Sequence, residues 1–175
     1  EEEVPSARKV RDDAKRQRVS VHFGRICELC FEKGSELGEE DTSGERKFKG
    51  RDVFLGDNVR DEYFDYAVFE ELGRSPPSME AARAIDALSM FIGYEETQAD
   101  AISAYTQSFL KGLKTWVHLP KERWPKWWHD LPYHDPVCSL YLALYGHPGS
   151  GGNWELQCEC AVKECGWIGF EEWPS

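Results

Sequence analysis

The chain has 175 residues, 41% hydrophobic and 13% aromatic, which suits one sizeable core and excludes both a disordered chain and two full domains. Thirty-two acidic residues against 21 basic ones give a net charge of −11 and a pI near 4.9, so overall composition argues against tight phosphate-driven nucleic-acid binding. No apolar run is long enough to cross a bilayer and no targeting signal is seen, which gives the expectation of a soluble intracellular protein, of cytoplasm or nucleus, with no membrane span. The opening "EEEVPSARK" lacks a Met, as a processed product or a piece of a longer polypeptide would.

Residues 1–18 are highly charged and almost devoid of large apolar side chains, which predicts a solvated helix or a frayed arm. Residues 19–175 are then expected to form the folded domain. "SVHFGRICELCF" (20–31) is rich in β-branched and aromatic residues and reads as a strand. A polar, glycine-punctuated turn follows, and "RKFKGRDVFLGDN" (46–58) alternates basic and apolar residues as a returning strand. The two make a long hairpin, and Arg46, Lys47, Lys49 and Arg51 are the most basic local patch of an acidic chain.

The clearest helix signal lies in "GRSPPSMEAARAIDALSMFIGY" (73–94). Ser78 can cap it and Glu80 lies in its first turn, where the helix dipole favours an acid. Met79, Ala82, Ile85, Ala87, Leu88 and Phe91 fall at the spacings of one buried face. "ETQADAISAYTQ" (96–107) fits a strand with Asp100 in it or at its end. "KTWVHLPKERWPKWWHDLPYHDP" (114–136) reads as a short strand and then irregular, aromatic-rich chain. "VCSLYLALYG" (137–146) is apolar enough to be buried. After the glycine loop "HPGSGG", Asn153 is expected to cap a last helix reaching about Cys165. Hairpin, helix, strand, buried segment and helix in that order make an α+β class, not a doubly wound sheet.

Six cysteines raise the question of zinc. Cys27 and Cys30 lie inside an extended run, where residues three apart point to opposite faces, so they do not converge as a half-site should. Trp154, Cys158, Ala161 and Cys165 recur at helical spacing as one buried stripe, and free cysteine packs well in cores. Zinc is therefore disfavoured; a four-thiolate site from Cys27, Cys30, Cys158 and Cys160 is the weaker alternative. Histidines 118, 129 and 134 fall in the aromatic insertion, where partial exposure is the default. "GSGG" (149–152) lacks the lysine and hydroxyl of a P-loop and reads as a turn.

Asp100 stands in a run of small and apolar residues. A strand-end aspartate, helped by the Ala101 carbonyl, can hold Mg²⁺, which keeps waters and substrate phosphates as its other ligands. "DAISAY" (100–105) resembles the first catalytic motif of reverse transcriptases, an aspartate followed at the fifth position by Tyr or Phe after Ala. With its neighbours the chain is similar to the Ty1/copia class of retrotransposon polymerases. "RKFKGRDVFLGDN" resembles the fingers segment Tyr-Lys-Ala-Arg-Leu-Val-Ala-Lys-Gly, "FEELGRSPPSMEAARAIDALS" the segment Phe-Ala-Pro-Val and its helix, and "VCSLYLALYGHPGSGGNWE" the Leu-Tyr-Gly-Leu-Lys-Gln segment with its later Trp. The four segments keep the family's order across about residues 20–170.

The resemblance implies an RNA-directed DNA polymerase using Mg²⁺, an RNA/DNA primer–template and dNTP. Asp100 and Ala101 would be metal ligands, with Asp100 catalytic. Tyr105 would gate the sugar, Lys49 and Arg51 would meet the triphosphate or template, and Tyr145 and Gly146 would floor the template–primer. The family's Tyr-x-Asp-Asp motif does not occur; the only Asp-Asp pair is Asp12-Asp13. The Lys-Gln after Leu-Tyr-Gly is His147-Pro148, and Leu55 replaces the second fingers lysine. The expectation is a truncated fingers hairpin plus partial palm, inactive in polymerisation alone. The alternative is a non-catalytic retroelement-derived scaffold or assembly subunit, with Trp124, Trp127 and Trp128 as possible anchors for a protein partner.

Overall fold

The computed structural model describes residues 4–37, 46–69, 78–129 and 134–169. Its elements are α1 (Ala7–Gln17), β1 (Val21–Lys33), β2 (Lys47–Phe54), α2 (Met79–Ser89), β3 (Lys114–His118), α3 (Lys126–His129), β4 (Cys138–Ser139) and α4 (Ser150–Glu164). The class is α+β, around one mixed sheet in the order β2-β1-β3-β4.

β1 organises this sheet by serving two partners along its length. Its first part, Val21 to Arg25, runs parallel to Lys114–His118 of β3. From Ile26 to Lys33 it instead pairs antiparallel with β2, in the register Leu29↔Arg51 and Phe31↔Lys49. The hairpin that alternation predicts is therefore present. After a short 3₁₀ turn (Gly56–Asn58) the chain returns to β1, where Phe23 and Arg60 exchange backbone hydrogen bonds of 2.7 and 2.9 Å.

Burial follows the pleat, since successive side chains of a strand point to opposite faces. On one face Val21 and Phe23 pack with Ala7, Val10 and Ala14 of α1 and with Val137. On the other, Phe54, Val59 and Val117 form a second cluster, flanked by Ile26, Phe69, Leu140 and Leu144. The N-terminal segment is thus the expected helix, capped by the Ser6 hydroxyl, which accepts from the Lys9 amide. It is solvated only on one side, because small residues let its other side lie against the sheet.

Three local expectations change. α2 forms where its signals place it, with Ser78 accepting from the Ala81 amide. Its apolar stripe is not buried, however: Met79, Ile85, Leu88 and Phe91 are exposed and only Ala81 is covered. The segment 96–107 is not a strand; it is irregular up to a 3₁₀ turn, Ala104–Gln107, that Ser103 enters in the left-handed region (φ 53°). In 137–146, Val137 and Ala143 are buried but Tyr141 and Leu142 are exposed, since only Cys138–Ser139 pairs with β3 there.

α4 begins at Ser150, three residues before the expected cap. The Ser150 hydroxyl donates to the Leu144 carbonyl and accepts from the Leu144 amide, tying the glycine loop closed. Asn153 lies inside the helix, where its amide donates to the Gly149 carbonyl and its carbonyl accepts from the Lys111 amide. The expected stripe on α4 is looser than its spacing suggests, with Trp154 and Cys158 half-buried and Ala161 and Cys165 exposed.

His147 lies in the second core beside Phe54 (ring centroids 4.9 Å) and Phe69 (5.4 Å). Its Nδ1 accepts from the Gly149 amide, which leaves the proton on Nε2, 3.4 Å from the Thr115 hydroxyl. Burial, with a smaller push from His22, lowers its pKa to about 4. Its unfolded value near 6.5 means the unfolded chain takes up the proton first as pH falls. Stability is therefore complete above about pH 6.5 and declines towards pH 4, by on the order of 3 kcal/mol across that shift. Urea denaturation at pH 7.5 and pH 5 should show about 2 kcal/mol of this loss, and His147→Gln should reduce the pH dependence even if it lowers stability at both values, the rest coming from His22 and His118, which burial also holds down.

Gly146 is required twice over. Its φ is +85°, and a Cβ there would run into the Phe54 carbonyl oxygen and into Val53 Cγ1. The left-handed conformation alone costs a non-glycine residue about 1–2 kcal/mol. Gly146→Ala should lower unfolding free energy by more than that. Gly151→Ala, inside α4 with open space around it, should instead raise it by up to about 1 kcal/mol. Chemical denaturation of the two variants side by side tests both signs.

Candidate functional site

The two faces of the β1–β2 hairpin carry opposite charge. Residues directly across an antiparallel ladder share a face. Lys33, Lys47, Lys49 and Arg51 therefore lie together with Leu29 and Phe31, while Glu28, Glu32 and Asp52 lie on the reverse with Phe48. The acidic side is partly neutralised: Arg46 Nε donates to Glu32 at 2.7 Å, and Arg123 pairs with Glu28. The four cations have no carboxylate within ion-pair distance among the described residues. Leu29 and Phe31 remain exposed among them.

Three of the expected site residues, Arg51, Tyr145 and Tyr105, meet at the edge of this basic face. The Arg51 guanidinium lies 5.6 Å from the rings of both Phe31 and Tyr145. Tyr145 in turn lies against Tyr105, with ring centroids 4.7 Å apart at 49°. Tyr145 is placed by its own carbonyl, which accepts from the Phe54 amide at 2.7 Å, and by the close approach of Gly146 to β2. Tyr105 is placed by the 3₁₀ turn and by a short antiparallel contact in which the Ala143 amide donates to the Ser108 carbonyl and the Leu110 amide to the Tyr141 carbonyl. Lys49, opposite Phe31, is half-buried on the same face.

Asp100 and Ala101 do not join this group. Both are exposed in irregular chain ahead of the Tyr105 turn, rather than at the end of a strand. Among the described residues no group of three or more His, Cys, Asp or Glu side chains is placed to hold a metal ion. Cys27 and Cys30 sit within β1, on opposite faces as an extended strand requires. Of the expected tryptophan anchors, Trp128 is buried, Trp124 is half-buried with its indole N–H donating to the Leu119 carbonyl, and Trp127 is exposed. No described helix is long and apolar enough to cross a membrane.

Sequence reasoning singled out Lys49 and Arg51 but not Lys33, Leu29 and Phe31 as their face-mates. Strand parity carried that information, but only once the register was known. Comparison with models of protein families gave no match, no curated protein matches the chain, and no solved structure matches its fold.

Proposed function

We propose that the chain is the fingers and partial palm of a copia-like reverse transcriptase, and that it holds a primer–template strand on the basic face of its hairpin. The observation that carries this reading is the separation of charge between the two hairpin faces, with Arg51, Tyr145 and Tyr105 in contact at one edge. Four cations without an ion-pair partner among the described residues suit a phosphate backbone, and exposed Phe31 and half-buried Tyr145 offer rings on which unstacked bases can lie. A net charge of −11 does not oppose this, because screening confines each charge's influence to about 8–10 Å at physiological salt.

The basic face and its rings account for holding a strand, not for nucleotidyl transfer. The Asp100 carboxylate and the Ala101 carbonyl are the groups that would hold Mg²⁺ under this reading. Among the described residues no group of three or more His, Cys, Asp or Glu side chains gathers there, so the fit to a two-metal site is incomplete. The non-catalytic alternative keeps the same fold and differs in its partner.

A labelled primer–template at low salt with Mg²⁺ should bind the chain, and Lys49→Ala/Arg51→Ala should abolish binding while leaving the fold intact. With four cations engaged on a single strand, the logarithm of affinity should fall with the logarithm of salt at a slope of about −3. Folded wild-type protein that binds no strand, or a double variant that binds as well as wild type, rejects the reading.

A further inference from the structure

A second concentration of positive charge lies away from the hairpin tip. A cleft of about 1120 Å³ opens between α1, the first half of β1, the 58–64 segment and the chain following β3. Arg11, Arg25, Arg60 and Lys121 enter it from four different segments. In a chain with 32 acids and 21 bases, the only carboxylate among the described lining residues is that of Asp135. Its Oδ1 is taken by His118, whose Nδ1 lies 2.9 Å away. None of the arginines nor the lysine lies within ion-pair distance of a carboxylate among the described residues, although Asp135 still attracts Arg11.

This arrangement carries an electrostatic cost. The Arg11 guanidinium is held between the rings of Phe23 and Phe64, at 4.0 and 4.1 Å, and its buried Nε makes no hydrogen bond. Burial also pulls Arg11 below its ordinary pKa, which Asp135 only partly opposes. Burial holds His118 down in turn, and Arg11 and Arg25 both add to that effect. A desolvated guanidinium with an unsatisfied N–H, beside a histidine that neighbouring arginines hold down, is a condition that a bound anion relieves. Beside them, Trp124 lines the same space, and so does exposed Phe64, one face of which Arg11 covers.

We propose that this cleft binds a small organic anion that carries more than one phosphate group and a planar ring. The phosphates lie among Arg11, Arg25, Arg60 and Lys121, and the ring lies between Phe64 and Trp124. Arginine forks and aromatic walls in one concave site are the usual means of fixing such a ligand. The inference does not rest on strand binding at the hairpin, and it involves none of the same side chains.

Adenosine diphosphate and inorganic pyrophosphate serve as probes, with affinity read by calorimetry and by the rise in melting temperature that binding to the folded state produces. The expected result is tighter binding of adenosine diphosphate than of pyrophosphate, and at least tenfold weaker binding of both by Arg25→Gln/Lys121→Gln. Both of these side chains are exposed, so the variant should fold. It should also melt no lower than wild type in anion-free buffer, because neither side chain is buried or held in an ion pair among the described residues. Lys49→Ala/Arg51→Ala should bind both probes as wild type does. Equal affinity for the two probes, full binding by Arg25→Gln/Lys121→Gln, or equal loss in Lys49→Ala/Arg51→Ala overturns the proposal.

Discussion

The packing of one ring on one bare backbone position governs much of this molecule. Phe54, at the end of β2, is 1% exposed and lies against Gly24 so closely that a Cβ on that glycine would occupy the ring's own space. Gly24 belongs to the half of β1 that pairs with β3, and Phe54 to the strand that pairs with the other half. The contact therefore locks hairpin to sheet at the point where β1 changes partners. From Phe54 the constraint spreads outward. Its amide fixes Tyr145, its ring meets His147, and its carbonyl leaves no room for a side chain at residue 146. Arg51 stands next to Tyr145 because that chain of contacts has already set the distance.

Charge in this protein is sorted by surface. The deficit of bases across the chain coexists with two places where, among the described residues, cations outnumber carboxylates, and each has a distinct structural origin. On the hairpin, strand parity does the sorting: alternate residues of β2 are basic, and the register sets Lys33 beside them. In the cleft, tertiary packing does it, by bringing together single arginines from α1, β1 and the 58–64 segment. The first kind is a stripe along an extended backbone and suits a linear polyanion. The second is concave and walled by rings, and suits a compact one.

This difference also decides what could be read before folding. The hairpin was legible, because alternation and a glycine-rich turn act over neighbouring residues. The Ser78 cap was legible for the same reason, and so was the sidedness of Cys27 and Cys30. The burial of α1 was not, since Ala7, Val10 and Ala14 are too small to announce a core face within a run of charges. The start of α4 depends on a serine that bonds six residues upstream, and periodicity carries no trace of such a bond. The stripe on α2 shows the opposite failure: helical spacing was right, yet spacing alone does not state what covers a face. The cation cleft draws on residues more than a hundred positions apart, so no local pattern encodes it.

The segment around Asp100 shows where motif and geometry part. Its small and β-branched residues are compatible with a strand, but Ser103 turns left-handed and closes a 3₁₀ turn instead. That turn carries Tyr105 inward to Tyr145 and leaves Asp100 outside in solvent. The spacing of five residues that makes "DAISAY" look like a polymerase motif thus places its two functional ends in unlike surroundings. The aromatic end is held by backbone pairing between 108–110 and 141–143, which would persist whatever residue stood at position 100. A carboxylate works in metal chemistry only when other ligands hold their places around it, whereas a ring and a guanidinium can grip a strand from a single edge. Under the polymerase reading, binding is then the separable part of the ancestral site: it depends on the Phe54 lock, and catalysis depends on groups that the lock does not reach.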